Sequence, residues 1–203
     1  MIVLLLILSF LLGSVPFGVL IAKTKGVDLT KTGSCNIGAT NVLRSVGKLP
    51  ALFTLLGDTL KGAVAILIGK LTGQSEIAVG LMGIFAVLGH DFSIFMKFKG
   101  GKGVATSIGT VLFFMPYAGV VVILAWLITA VLTRYSSLSA LVAFTVLPFA
   151  SVFIYGQTFD KFNFSLILAL LIFYKHKVNV RKLLSGEEPK IGKKSCEKSD
   201  TPT

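Results

Sequence analysis

Apolar runs of about the length that crosses a bilayer, closed at their ends by basic residues, leave this chain little choice but a polytopic membrane fold. Over 203 residues, 54% are hydrophobic and only 14% charged. The mean hydropathy of +0.85 is more than a soluble domain of this size could bury. A net charge of +11 raises the question of nucleic acid. The basic residues, however, sit mostly at the ends of apolar runs, which suits topology and an anionic leaflet. Residues 1–22 lack a basic start and a small-residue cleavage site, so they read as a retained helix rather than a signal peptide. Cys35 and Cys196 show no metal-ligand spacing, and no disulfide is expected on the cytoplasmic side where both are placed.

In chain order, the first run (1–22) is broken at Gly13-Ser14-Val15-Pro16-Phe17-Gly18, and a polar connection runs to Lys48. Runs at 49–70 and 77–96 follow, the first carrying Asp58 and Lys61, the second His90 and Asp91. The stretch 104–132 contains Pro116, and runs at 138–156 and 162–174 precede a basic tail. Whether 104–132 crosses once or twice is decided by charge. With seven spans and an outside N-terminus, 17 basic residues lie inside against 2 outside; a single crossing gives 9 against 10. The positive-inside rule selects seven. The expected fold is therefore all-α: seven transmembrane helices, N-terminus outside, C-terminus cytoplasmic. One domain is expected over 1–190, with a disordered polar tail at 191–203.

The most unusual segment is Lys97-Phe98-Lys99-Gly100-Gly101-Lys102-Gly103-Val104-Ala105-Thr106, between two apolar runs. Glycines let a backbone approach an anion closely, lysines supply charge, and a helix beginning near Val104 adds its positive end. A purely topological loop would account for the lysines but not for the glycines. A nucleotide P-loop is excluded, because Met96 and Gly103 stand where that motif needs glycine and Ser or Thr.

The first loop, Thr32-Gly33-Ser34-Cys35-Asn36-Ile37-Gly38-Ala39-Thr40-Asn41-Val42-Leu43-Arg44, reads either as a linker or as a short helix presenting Thr40, Asn41 and Arg44. Arginine's fork suits phosphate. Asp58 and Lys61 share a helical face within an apolar run, as a structural ion pair or as part of a site. His90 either orients the glycine loop or donates to phosphate. His176 and Asn179 share a face at the start of the basic tail, which also reads as an interfacial amphipathic helix over 175–184. There is no cytoplasmic carboxylate cluster for Mg²⁺, no Cys/His metal spacing and no Gly-x-Ser-x-Gly elbow. Cations and backbone amides acting on an already activated phosphate compound fit what remains.

Taken in order, the first-loop motif, Asp58-x-x-Lys61-Gly62, Gly89-His90, the glycine loop and His176-x-x-Asn179-x-Arg181-Lys182-Leu183-Leu184-x-Gly186-Glu187 resemble the bacterial acyl-phosphate:glycerol-3-phosphate acyltransferases. The resemblance covers about residues 10–190. It implies transfer of a fatty acyl group from acyl phosphate to the 1-hydroxyl of glycerol 3-phosphate, giving lysophosphatidate and inorganic phosphate. The implied enzyme is a multi-pass inner-membrane monomer among membrane lipids, facing the cytoplasm, without cofactor, metal or nucleic acid. Ser34, Asn36 and Gly100, Gly101 and Gly103 would hold the acyl phosphate. Arg44, Lys102, His176 and Asn179 would engage glycerol phosphate, with Thr40, Asn41, Lys61 and His90 in support. Ser34, Asn36 and His90 stand as the catalytic candidates. The family pattern has glycine where this chain has Cys35, so a positive φ there would be strained. An organic-phosphate transporter would need an inverted repeat, and a metal-dependent alcohol phosphotransferase clustered acids; neither is present.

Overall fold

In the computed structural model, residues 1–156 and 158–192 are described. Cys196 and most of the expected tail lie outside them. Among the described residues all regular secondary structure is helical: α1 Ile2–Ser14, α2 Phe17–Lys23, α3 Ala39–Ser45, α4 Lys48–Leu71, α5 Glu76–Asp91, a 3₁₀ turn Ile94–Met96, α6 Val104–Phe114, α7 Pro116–Thr133, α8 Ser136–Tyr155, α9 Phe159–Lys175 and α10 Lys177–Leu184.

Local chemistry sets the boundaries. Pro16 interrupts the first run between α1 and α2. Ser75 Oγ accepts from Ala78 N at 3.3 Å to start α5, with Glu76 in its first turn. Pro116 opens α7, where its missing N–H costs nothing.

Packing relies on small residues, as expected where lipid offers no hydrophobic drive to press helices together. A Cβ on Gly89 would fall on the Phe10 carbonyl of α1, and one on Gly109 on the Thr59 carbonyl of α4. Bulkier side chains fill the other half of the bundle around Ile66, Val111, Phe114, Phe144, Leu147, Leu168 and Ile172. There the Phe114 and Phe164 rings meet edge to face, with centroids 4.9 Å apart. Leu56, Leu60, Leu124, Phe149 and Phe153 face outward, as hydrocarbon solvent allows.

The expectation of seven spans is overturned. Among the described residues, five stretches are long and apolar enough to cross a membrane: Ile2–Lys23, Lys48–Leu71, Glu76–Met96, Pro116–Thr133 and Ser136–Tyr155. The break at Pro116 leaves α6 with 11 residues. At ~1.5 Å each that is ~16 Å, about half of a ~30 Å core. α9 has 17 residues but opens on Asp160 and Lys161, which shortens its apolar part. The expected placement of the N-terminus outside and the C-terminus in the cytoplasm falls with the count on which it rested.

Candidate active site

The two ends of the bundle differ sharply in charge. At one, Lys70 Nζ donates to the Phe113 carbonyl at 2.6 Å and Lys161 pairs with Glu76 at 3.1 Å. The other end gathers α3, the glycine loop, the end of α9, α10 and the strand of chain that follows α10.

In the first loop Asn41, at the start of α3 and 1% exposed, is the organiser. Its Oδ1 accepts from Ser34 N at 2.9 Å, while its Nδ2 donates to the carbonyls of Thr32 (3.0 Å) and Asn36 (2.8 Å). One buried amide thereby fixes the turn that carries Ser34 and Asn36. Cys35 lies at its tip with φ 55°, the strained left-handed conformation expected of this departure from glycine. The Thr40 hydroxyl is 3.0 Å from that of Ser136 and so ties α3 to α8.

The glycine loop folds back on the end of α5. Lys97 and Phe98 both take left-handed φ to make the reversal, at 51° and 62°. Gly100 N donates to the Asp91 carbonyl (3.2 Å) and Gly101 N to the His90 carbonyl (3.0 Å). Those two amides are thus committed to the fold. Their glycines are needed for approach: a Cβ on Gly100 would meet the His90 carbonyl, and one on Gly101 the His90 Nε2. From Lys102 through Thr106 the amides have no hydrogen-bond partner among the described residues. They are unpaired donors at the positive end of α6.

Lys102 Nζ donates to Asn179 Oδ1 at 2.6 Å, and Asn179 Nδ2 donates to Glu188 Oε1 at 2.8 Å. Ser137 Oγ reaches the same carboxylate oxygen at 2.6 Å. Burial pushes the Lys102 ammonium down to about 8; Glu188 opposes that shift, and the charges of Lys182, Arg44 and Lys175 add to it. Arg44 Nη2 donates to the Pro189 carbonyl at 2.9 Å, and burial lowers this guanidinium too, against the pull of Glu188. His176 Nδ1 bonds the Ile172 carbonyl at 2.8 Å and therefore carries the proton. Burial first, then the Lys102 charge, hold this imidazole down to about 4, so it is neutral. Residues 187–191 close the arrangement as a strap, with Ile191 N donating to the Arg134 carbonyl at 2.7 Å.

Arg44, Lys102, His176 and Asn179 thus gather at one end of the bundle beside the strap: Lys102 bonds Asn179, Arg44 bonds the strap, and the Lys102 charge acts on His176. Lys61 and His90 sit deeper, with Asp58: Lys61 Nζ is 2.9 Å from Asp58 Oδ1 and 2.7 Å from His90 Nδ1. Sequence reasoning missed Glu188 and Ser137. The quoted tail motif ends at Glu187, and the acid that enters the pocket is the next residue. Nothing in the sequence around Ser137 marks it. Asp91, fully buried with both carboxyl oxygens unpaired, was noted only as a charge near the end of a run.

A family model described as Glycerol-3-phosphate acyltransferase matches residues 3–186. A protein of that name from Thioalkalivibrio sulfidiphilus is 43% identical over 195 residues, covering 95% of each chain. Another from Thermus thermophilus is 43% identical over 189 residues, covering 93% of this chain and 94% of its own. The crystal structure of an integral membrane glycerol 3-phosphate acyltransferase in its glycerol 3-phosphate form superposes with a TM-score of 0.89 at 37% identity, over 94% of this chain and 96% of that one. Its lysophosphatidic acid form gives 0.86 at 36% identity, over 93% and 94%.

The geometry at Cys35 yields a stability prediction. Relieving a left-handed non-glycine residue recovers ~1–2 kcal/mol, and glycine's extra unfolded-state freedom costs ~0.5–1. Cys35→Gly should raise stability by a net amount on the order of 0.5–1 kcal/mol, read as a higher thermal midpoint in detergent. A lower midpoint would show that the turn is not strained there.

Proposed function

Because this chain belongs to the glycerol-3-phosphate acyltransferase family, we propose that it moves a fatty acyl group from acyl phosphate to the 1-hydroxyl of sn-glycerol 3-phosphate. Lysophosphatidate and inorganic phosphate are the products, and the reaction is the first acylation of phospholipid synthesis. The observation that carries the reading is the convergence of Arg44, Lys102, His176 and Asn179 beside the free amides at the start of α6.

In this reading the acyl phosphate lies with its phosphate at the α6 amides and glycine loop, between Ser34 and Asn36, and its chain in the lipid. Arg44 and Lys102 hold the phosphate of the acceptor. His176, whose Nδ1–H is committed to Ile172, presents Nε2 as an acceptor for a glycerol hydroxyl. The hydroxyl oxygen attacks the acyl carbon, the C–O bond to phosphate breaks, and the phosphate takes up the hydroxyl proton and departs as hydrogen phosphate beside fixed donors. Asn41 and Thr40 contribute by holding the first loop and α3 in place.

The pocket faces the cytoplasm in this proposal. Lys23, Lys25, Arg44, Lys97, Lys99, Lys102, Lys175 and Arg181 all belong to its end of the bundle, against Lys70 and Lys161 at the other. With Cys196→Ser, exposed Cys35 should resist an impermeant maleimide in spheroplasts and react in inverted vesicles. Labelling in spheroplasts would reverse the orientation.

Purified protein should release phosphate from acyl phosphate only when glycerol 3-phosphate is present; no stimulation by the acceptor would sink the reading. Arg44→Lys keeps charge but cannot span both the strap and a phosphate. It should raise KM for glycerol 3-phosphate about ten- to a hundredfold, with little change for acyl phosphate. A rise confined to the acyl phosphate KM would assign Arg44 to the donor instead.

Lys102 supplies the pH dependence. Only its protonated form attracts phosphate, so kcat/KM should fall as pH rises through about 8. Lys102→Arg should move that limb upward. A limb unmoved by this substitution belongs to another group.

A further inference from the structure

The ammonium of Lys61 is held where three elements meet. Its Nζ donates to the Val15 carbonyl in the break between α1 and α2 at 3.1 Å, and it lies 2.9 Å from Asp58 Oδ1 and 2.7 Å from His90 Nδ1. The side chain is 2% exposed. An ammonium has three protons and no lone pair. That of Lys61 makes two hydrogen bonds, to the Val15 carbonyl and to His90, with the Asp58 carboxylate alongside as its ion partner.

The lack of a lone pair on that ammonium settles the imidazole. At 2.7 Å from a group that can only donate, His90 Nδ1 must accept. A neutral ring then carries its proton on Nε2. That nitrogen lies against Gly101, where a Cβ would clash with it. Asp58 offers the opposite arrangement. Its Oδ1 is 3.5 Å from Nδ1 and would accept an Nδ1–H if the lysine were gone.

We propose that Lys61 is a positioning residue that fixes His90 as its Nε2–H tautomer, so that the ring presents a donor to the glycine loop and to the phosphate group held there. The identity of that phosphate rests on the acyltransfer reading; the tautomer does not. Without Lys61, Asp58 takes Nδ1–H and Nε2 turns a lone pair toward the loop. An anion beside it then loses a donor and meets an acceptor.

The chain has only two histidines, so ¹⁵N-imidazole NMR of the whole protein in nanodiscs resolves the question, with His176→Gln assigning the two rings. Wild type and Lys61→Arg should both show His90 with bare Nδ1 and protonated Nε2. Lys61→Met should show protonated Nδ1, and its kcat should fall about ten- to a hundredfold with the KM for glycerol 3-phosphate little changed. A protonated Nδ1 in wild type overturns the proposal, and that spectrum is available even if Lys61→Met fails to fold. An unaltered tautomer in Lys61→Met overturns it too, as does a switched tautomer with undiminished kcat. A wild type inactive toward acyl phosphate but with the expected spectrum would refute the acyltransfer reading and leave the tautomer standing.

Discussion

Taking cations out of water is the constraint around which the polar end of this bundle is built. An unpaired buried charge is lost or neutralised, and removing one member of a buried pair costs about 3–5 kcal/mol. Lys102 and Arg44 meet the problem by sharing one carboxylate at a distance. Glu188 receives Asn179 and Ser137 directly, and Asn179 passes the contact on to Lys102. Interposing an amide leaves the lysine less tightly neutralised than a direct ion pair would, so in the proposed reaction charge remains for the substrate phosphate. On the proposed reading, the strap after α10 is part of the phosphate site. It supplies the counter-charge and, through the Pro189 carbonyl, the hydrogen bond that aims the Arg44 fork.

A second cluster obeys the same constraint with a different result. Lys61, Asp58 and His90 are buried among helices, the ammonium bonded to the Val15 carbonyl and His90 Nδ1 with Asp58 as its counter-ion. Here the partners consume the charge, and what passes to the glycine loop is direction, as a ring orientation and a protonation pattern. Both clusters are three-dimensional consequences of helix contacts: Lys61 reaches Val15 and His90 only because α1, α4 and α5 pack through small residues such as Gly13 and Gly89.

Much of this was legible in the sequence. Pro16 and Pro116 mark the breaks where the structure has them, and Ala39–Ser45 does form a short helix. The polar end also draws on the segments singled out by their mixture of glycine, amide and basic residues. The span count was not legible, because positive charge at helix ends weighs only which side a loop prefers. It cannot supply the length that α6 lacks, with 11 residues between Gly103 and Met115. Glu188 escaped notice for a related reason. A glutamate in a basic tail looks solvated until the tail is seen to fold back over Ser137.

The glycine loop carries the most instructive difference between pattern and structure. Read as sequence, Gly100-Gly101-Lys102-Gly103 suggests amides turned toward an anion. In the fold, the first two amides are spent on the carbonyls of Asp91 and His90. Their glycines are required because α5 lies too close for any side chain. The unpaired donors begin one step later, at Lys102, and run into the first turn of α6. This division has a mechanical consequence. The half of the loop bonded to α5 is rigid and sets the height of the other half above His90 Nε2. A substitution at Gly101 would thus displace the whole row of free amides rather than remove one donor, so its effect on phosphate binding should exceed the loss of a single hydrogen bond.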